Sequence, residues 1–151
     1  MDNRVFIGID PGINGGIAFI YNDTYYAKKT PPTVSEMADE LIVLKDMGPN
    51  LPMYSCIEAV HSMPKQGVKS VFTFGKGYGQ WLGILATLQI PYIEVTPTKW
   101  MKHYGSMPKD KRERKNHLKN LAQQRFPELD ITLATSDAIL ICNYLRETNK
   151  R

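Results

Sequence analysis

Residues 5–21 read VFIGIDPGINGGIAFIY, and the reading of this stretch decides the fold. An apolar run from Val5 stops at one carboxylate, Asp10, and the chain then turns through Pro11 and Gly12. A second apolar run, Gly16 to Tyr21, follows the sequence NGG at 14–16. Two such runs joined by Asn-Gly chemistry predict paired antiparallel strands. The acid that ends the first run needs a reason. A carboxylate buried alone is costly unless it is paired, hydrogen-bonded or bound to a metal. Asp10 therefore either caps a turn or meets a cation.

Working outward, YND at 21–23 makes a second turn and Thr24–Lys28 a third strand, which completes a meander ended by Pro31 and Pro32. Thr33 or Ser35 caps a helix over 34–47, with Met37, Leu41 and Leu44 on one face. Met53–Glu58 is another buried strand ending in a carboxylate. Apolar positions from Val68 to Leu88 fit a long helix, interrupted by Gly75, Gly79 and Gly83. Each glycine weakens a helix by ~1 kcal/mol, so the stripe predicts close packing against another protomer or a nearby strand. Pro91–Val95 is a short strand, and Pro97 opens a helix. Lys109–Arg125 is a basic helix with Leu118, Leu121 and Ala122 on its apolar side. Thr135 or Ser136 caps a last helix running to about Glu147, and the tail RETNKR reads as frayed.

The order β-β-β-α-β-α-β-α-α-α is that of an α/β domain: one mixed five-stranded sheet flanked by helices. A right-handed crossover makes the strands ending in Asp10 and Glu58 parallel. Ligands of open α/β sheets gather beyond the carboxyl ends of such strands.

With 151 residues, the chain suits a single domain spanning 1–151. The net charge of +4 and the pI near 9.0 favour an anionic partner such as nucleic acid. Cys56 and Cys142 lack metal-ligand spacing and read as buried thiols in a reducing compartment. No secretory leader is evident, and no apolar run approaches the ~20 residues that cross a bilayer. No membrane partner is expected, and the expected location is a reducing cytoplasm, with an organelle matrix also open.

Three acids stand at marked places. Asp10 and Glu58 end strands, and Asp137 lies in the first turn of the final helix within TSDAILICNYL. Alone, Asp137 complements a helix dipole. Glutamate, by contrast, is a poor strand former with few structural reasons to end a buried strand. Brought into one cleft, the three repel unless divalent cations bind them, and an all-oxygen set suits magnesium or manganese.

Residues 99–119, KWMKHYGSMPKDKRERKNHLK, are strongly basic, opposed only by Asp110 and Glu113. They read either as a solvated face, with Glu113 paired to Lys109, or as a phosphate-positioning surface that includes Lys99, Lys109 and Arg112. Lys65, Gln66, Lys69 and Ser70 follow Glu58 at a helix N-terminus, which attracts anions, and Lys76 lies further along that helix. His61 stacks on a base, orients water or is a plain loop histidine. Trp81 and Trp100 lie on apolar-patterned helices and read as core.

The stretches IGIDPGINGGIAFI, CIEAVHSMPKQGVKSVFTFGKGYGQWLGIL, IPYIEVTPTKW and TSDAILICNYL resemble RuvC-type Holliday-junction resolvases, especially bacteriophage-like members. The resemblance covers nearly the whole chain and is most specific from Glu58 to Trp100. The opening motif alone is shared with actin-like ATPases and sugar kinases, whose nucleotide sites need a second domain.

The resemblance implies an RNase H-like fold and a homodimer that nicks two symmetric strands of a four-way DNA junction. It implies metal-binding roles for Asp10, Glu58 and Asp137, with Mg2+ or Mn2+ as cofactor. It places Lys102 or Lys99, and Lys111, near the cut phosphate. Two ions ~4 Å apart would then serve phosphodiester hydrolysis, leaving a 5′ phosphate and a 3′ hydroxyl. Relatives often carry a fourth ligand a few residues before the last aspartate. Here Ala134 stands three residues upstream of Asp137, about one helical turn away. Three readings stay open: three ligands suffice, Asp130 reaches in from the loop, or the chain binds junctions with weakened or no cleavage.

Overall fold

The structure is a computed structural model, and it describes residues 2–59 and 64–149. Strands β1 (Val5–Asp10), β2 (Gly16–Tyr21), β3 (Thr24–Lys29), β4 (Met53–Glu58) and β5 (Tyr92–Val95) form one sheet in the order β3-β2-β1-β4-β5. β1, β2 and β3 pair antiparallel as a meander, whereas β4 and β5 run parallel to β1. The helices are α1 (Val34–Asp46), α2 (Val68–Thr87), α3 (Pro97–Lys102), α4 (Lys111–Arg125) and α5 (Ser136–Thr148).

The two-residue period of the strands sorts the core into two layers. Val5, Ile7 and Ile9 of β1 pack with Met37, Leu41 and Leu44 of α1 and Trp81 and Leu85 of α2. Phe6 of β1, Ala18 and Ile20 of β2 and Cys56 of β4 pack with Trp100 of α3, Leu118 and Ala122 of α4, and α5. Both tryptophans and both thiols are buried, as expected.

α5 is buried on nearly every side, the signature of a central helix. It can lie so low on the sheet because of Gly8. A Cβ there would stand 2.4 Å from the Ala138 carbonyl and 2.4 Å from the Cys142 nitrogen. Gly16 plays the same part on β2, where a Cβ would stand 2.7 Å from the Ala134 carbonyl.

Four expectations need correction in detail. α4 starts at Lys111 because Asp110 is its N-cap, its carboxylate accepting from the Glu113 N–H at 2.9 Å. Glu113 makes no ion pair with Lys109 among the described residues. Thr135 occupies the N-cap of α5 but does not cap with its side chain, because its hydroxyl accepts from the Thr132 N–H at 3.0 Å instead. The last helix runs one residue past Glu147 to Thr148, and the Arg4 guanidinium donates to the Asn149 carbonyl at 2.8 Å; Lys150 and Arg151 of the tail lie outside the described residues.

The glycine stripe of α2 is the largest difference. A Cβ at Gly75, Gly79 or Gly83 would meet nothing within 4 Å, so no strand packs there among the described residues. For α1 the cap is Thr33, which forms a reciprocal capping box with Glu36.

Candidate functional site

β1 and β4 are adjacent and parallel, and their register ends with Ile9 opposite Ile57. Asp10 and Glu58 therefore occupy the same rank at the carboxyl ends. Each shares the parity of residues facing α5: Phe6 and Gly8 on β1, and Cys56 on β4. Asp137, in the first turn of α5, comes down on the same face.

Asp10 also does what a turn acid does. Its Oδ1 accepts from the Gly12 N–H at 3.3 Å. The turn is so tight that a Cβ on Gly15 would stand 2.2 Å from the Asp10 carbonyl. Glu58 is held from the other side, where the Trp100 indole Nε1 donates to its Oε2 at 2.7 Å.

The charges of these acids are poorly compensated. Burial pushes the Asp10 carboxyl up to about 6, against the pull of the Gly12 N–H and the Lys115 ammonium. Burial raises Glu58 to about 8, reinforced by the Asp10 and Asp137 charges and opposed by the Trp100 hydrogen bond. Asp137 is raised to about 7, first by burial and then by Asp10, while Lys115 and Arg114 pull it down. No ion pair within 4 Å reaches any of the three among the described residues. Carboxylates raised chiefly by burial, with the Asp10 charge holding up the other two, mark a place where added positive charge is stabilising.

The cluster is open rather than a closed cage. No three histidine, cysteine, aspartate or glutamate side chains among the described residues stand close enough together to encage an ion. Magnesium does not require that, because it keeps several waters and binds through one or two carboxylates plus substrate phosphates. The all-oxygen donor set and its uncompensated charge fit such an ion.

The cations nearest the cluster were missed in the sequence. Lys115 acts on Asp10 and Asp137, and Arg114 acts on Asp137. The helical period held their signal: both lie one turn before buried Leu118 and thus on the inward face of α4. Lys111 shares that face one turn further out, and Lys109 and Arg112 are exposed beside it. The Arg114 guanidinium is braced by the Pro108 and Lys109 carbonyls at 3.3 and 3.1 Å. With Lys102, Met101 and Met107 it lines a groove of about 730 Å³ between α3 and the start of α4. Lys99 lies near enough to β4 to act on the Cys56 thiol.

Lys65, Lys69, Ser70 and Lys76 are exposed along the entry and first half of α2, with Gln66 beside them. Gly67 is the N-cap there and offers no side-chain cap. His61 lies outside the described residues. Ala134 is not on a helix: it precedes the first turn of α5, with its carbonyl against Gly16 of β2. Asp130 is exposed in the loop before it.

A mixed five-stranded sheet in the order 3-2-1-4-5, with acids at the ends of its two central parallel strands and on the helix laid across them, defines an RNase H-like α/β fold. Two solved structures share it over almost their full length. One is Thermus thermophilus RuvC in complex with Holliday junction substrate, with TM-score 0.61 and 16% identity, covering 97% of this chain and 96% of that one. The other is a Thermus thermophilus RuvC structure, with TM-score 0.61 and 17% identity, covering 96% of each chain. The likeness agrees with the resemblance read from the sequence, and at this identity it establishes the shared fold. No protein-family model matches the chain. No curated protein matches it.

Proposed function

We propose that this chain is a divalent-metal-dependent endonuclease that nicks four-way DNA junctions. The observation that carries the reading is the triad of mutually repelling, half-buried carboxylates at the ends of β1 and β4 and the start of α5. Such a triad wastes stability unless a cation occupies it. Asp10, Glu58 and Asp137 are the residues that would hold Mg2+ or Mn2+, two ions per site. Bound there, the ions supply charge for the scissile phosphate and a water of lowered pKa.

The remaining work falls to the chain's own groups. Lys115 and Arg114 offset the charge of the cluster and stand where a phosphate approaches. Lys102, Lys99 and Lys111 extend that positive surface. The Trp100 N–H anchors one oxygen of the Glu58 carboxylate. Lys65, Gln66, Lys69 and Ser70 would position the strand backbone at the entry of α2. Hydrolysis leaves a 5′ phosphate and a 3′ hydroxyl.

Symmetric nicks need two sites related by a two-fold axis. The exposed face of α2 suits that pairing: Val68 is 87% and Phe72 72% exposed, and the glycines between them and the C-terminus of α2 open a flat track. The free buried thiols suit a reducing cytoplasm.

A second reading, a junction-binding protein with little or no cleavage, is favoured by Ala134 and by the open geometry of the acids. One experiment separates the two. A labelled four-way junction and a matched linear duplex are incubated with the protein in Mg2+, Mn2+ or Ca2+, beside Ala134→Asp and Asp137→Asn. Nicks on the junction alone in Mg2+ or Mn2+, abolished by Asp137→Asn, establish the nuclease. Tight junction binding without nicks, rescued by Ala134→Asp, establishes the second reading. Equal binding to both DNAs with no cleavage overturns both.

A further inference from the structure

On the other side of the Asp10–Gly12 turn, away from α5, a groove of about 600 Å³ runs between that turn, the end of β3 and α2. Lys29 enters it from β3 and Lys76 from α2. Neither ammonium has a carboxylate within 4 Å among the described residues, whereas the neighbouring Lys28 is paired with Glu40 at 2.6 Å. No acidic residue lines the groove.

An ammonium group only donates. A groove that carries two unpaired ammonium groups and no acid favours a ligand that only accepts, which is an oxyanion. Apolar groups line the groove as well, among them Pro32 and Ile13, which is 71% exposed at the turn. An anion with an apolar body, wide enough to span both lysines, matches a nucleotide unit better than a bare ion.

We propose that this groove seats the sugar-phosphate backbone of a nucleic-acid strand, with a phosphate between Lys29 and Lys76 and the sugar against Ile13 and Pro32. The turn that holds Asp10 is the shared wall, and α2 comes close to it at Gly77, where a Cβ would stand 3.6 Å from the Pro11 carbonyl, an ordinary contact distance. The groove would thus hold a strand beside the carboxylate cluster without entering it. The proposal rests on the nucleic-acid-binding part of the functional reading but not on cleavage.

The test is equilibrium binding of a four-way junction to the full chain in Ca2+ across 50–200 mM salt, comparing the wild type with Lys29→Gln/Lys76→Gln, its Arg counterpart and Lys45→Gln. Losing the one phosphate contact that the two lysines share should lower the slope of log K against log salt by about 0.9, with about a threefold greater loss of affinity at the low-salt end than at the high. The Arg pair should restore the slope, Lys45→Gln should leave it unchanged, and the unfolding midpoint should not move, since both lysines are exposed. Junction-protected acetylation of Lys29 and Lys76 gives an independent readout. A Gln pair that binds with the wild-type slope, or lysines that acetylate equally with and without DNA, overturns the groove while leaving the nuclease reading intact. Wild-type binding with the expected losses but no nicking in Mg2+ upholds the groove and removes the nuclease. No DNA binding by the wild type overturns both.

Discussion

Replacing Glu58 by Gln removes one charge from the carboxylate cluster and keeps an oxygen for the Trp100 N–H. In the folded chain this carboxyl is raised to about 8, chiefly by burial and then by the Asp10 charge, from an ordinary 4.5. Its folded value lies above its unfolded one, so the folded state holds the proton more tightly. The stability it contributes is whole below about pH 4.5 and is lost as pH rises through about 8. Between pH 5.5 and pH 8, a group shifted this far costs the folded state about 3 kcal/mol. For a chain of 151 residues that is a fall in Tm of about 6–12 °C. Asp10 and Asp137 add to the fall in the same direction, because both are raised as well.

Thermal unfolding in EDTA at the two pH values, for wild type and Glu58→Gln, reads this directly. The two proteins should unfold close together at pH 5.5. From pH 5.5 to pH 8 the variant's advantage should widen by about 3 kcal/mol. Added Mg2+ should raise the wild-type Tm at pH 8 and narrow the gap, since an ion that binds only the folded state stabilises it. A variant less stable than wild type at pH 8, or a gap that ignores pH, refutes the view of the cluster as stored repulsion.

Other changes give sharp outcomes. Gly8→Ala forces a methyl against backbone atoms of α5 and should cost about 3 kcal/mol in urea unfolding. Lys115→Gln removes the cation shared by Asp10 and Asp137. It should shift the acid limb of the nicking profile upward by roughly one pH unit, about a tenfold loss of rate on that limb, while activity recovers at higher pH. Trp100→Phe takes the indole donor from Glu58 and should push that carboxyl further up, seen as tighter proton uptake by NMR titration of the metal-free protein. Phe72→Glu on the exposed face of α2 should convert a sedimenting dimer to monomer with an unchanged unfolding midpoint.

Much of this architecture was legible because strong local signals agree. The meander follows from Asn-Gly and Tyr-Asn-Asp turns between apolar runs. The parallel placement of Asp10 and Glu58 follows from one crossover. What stayed hidden depends on distances between elements. Nothing local distinguishes Lys115 from Lys111; only the burial of Leu118 shows which turn of α4 lies over the acids. Trp100 reads as core and is core, but its indole edge reaches a strand end 42 positions away. Ala134 looks like a helical neighbour of Asp137 by count. The Thr132–Thr135 turn comes before α5 begins, so Ala134 stands outside the helix. The glycine stripe on α2 shows the opposite case, a clear pattern against which nothing packs among the described residues.

The central claim is that the three carboxylates serve phosphodiester cleavage at a DNA branch point. The most direct measurement is strand-by-strand mapping of the ends made on a four-way junction in Mg2+, with ligation of the products. The account predicts paired nicks at symmetric positions on two opposite strands, sealed by ligase and absent with Asp10→Asn. Cuts scattered over the arms, cuts equally frequent in linear duplex, or ends that ligase does not seal would contradict it.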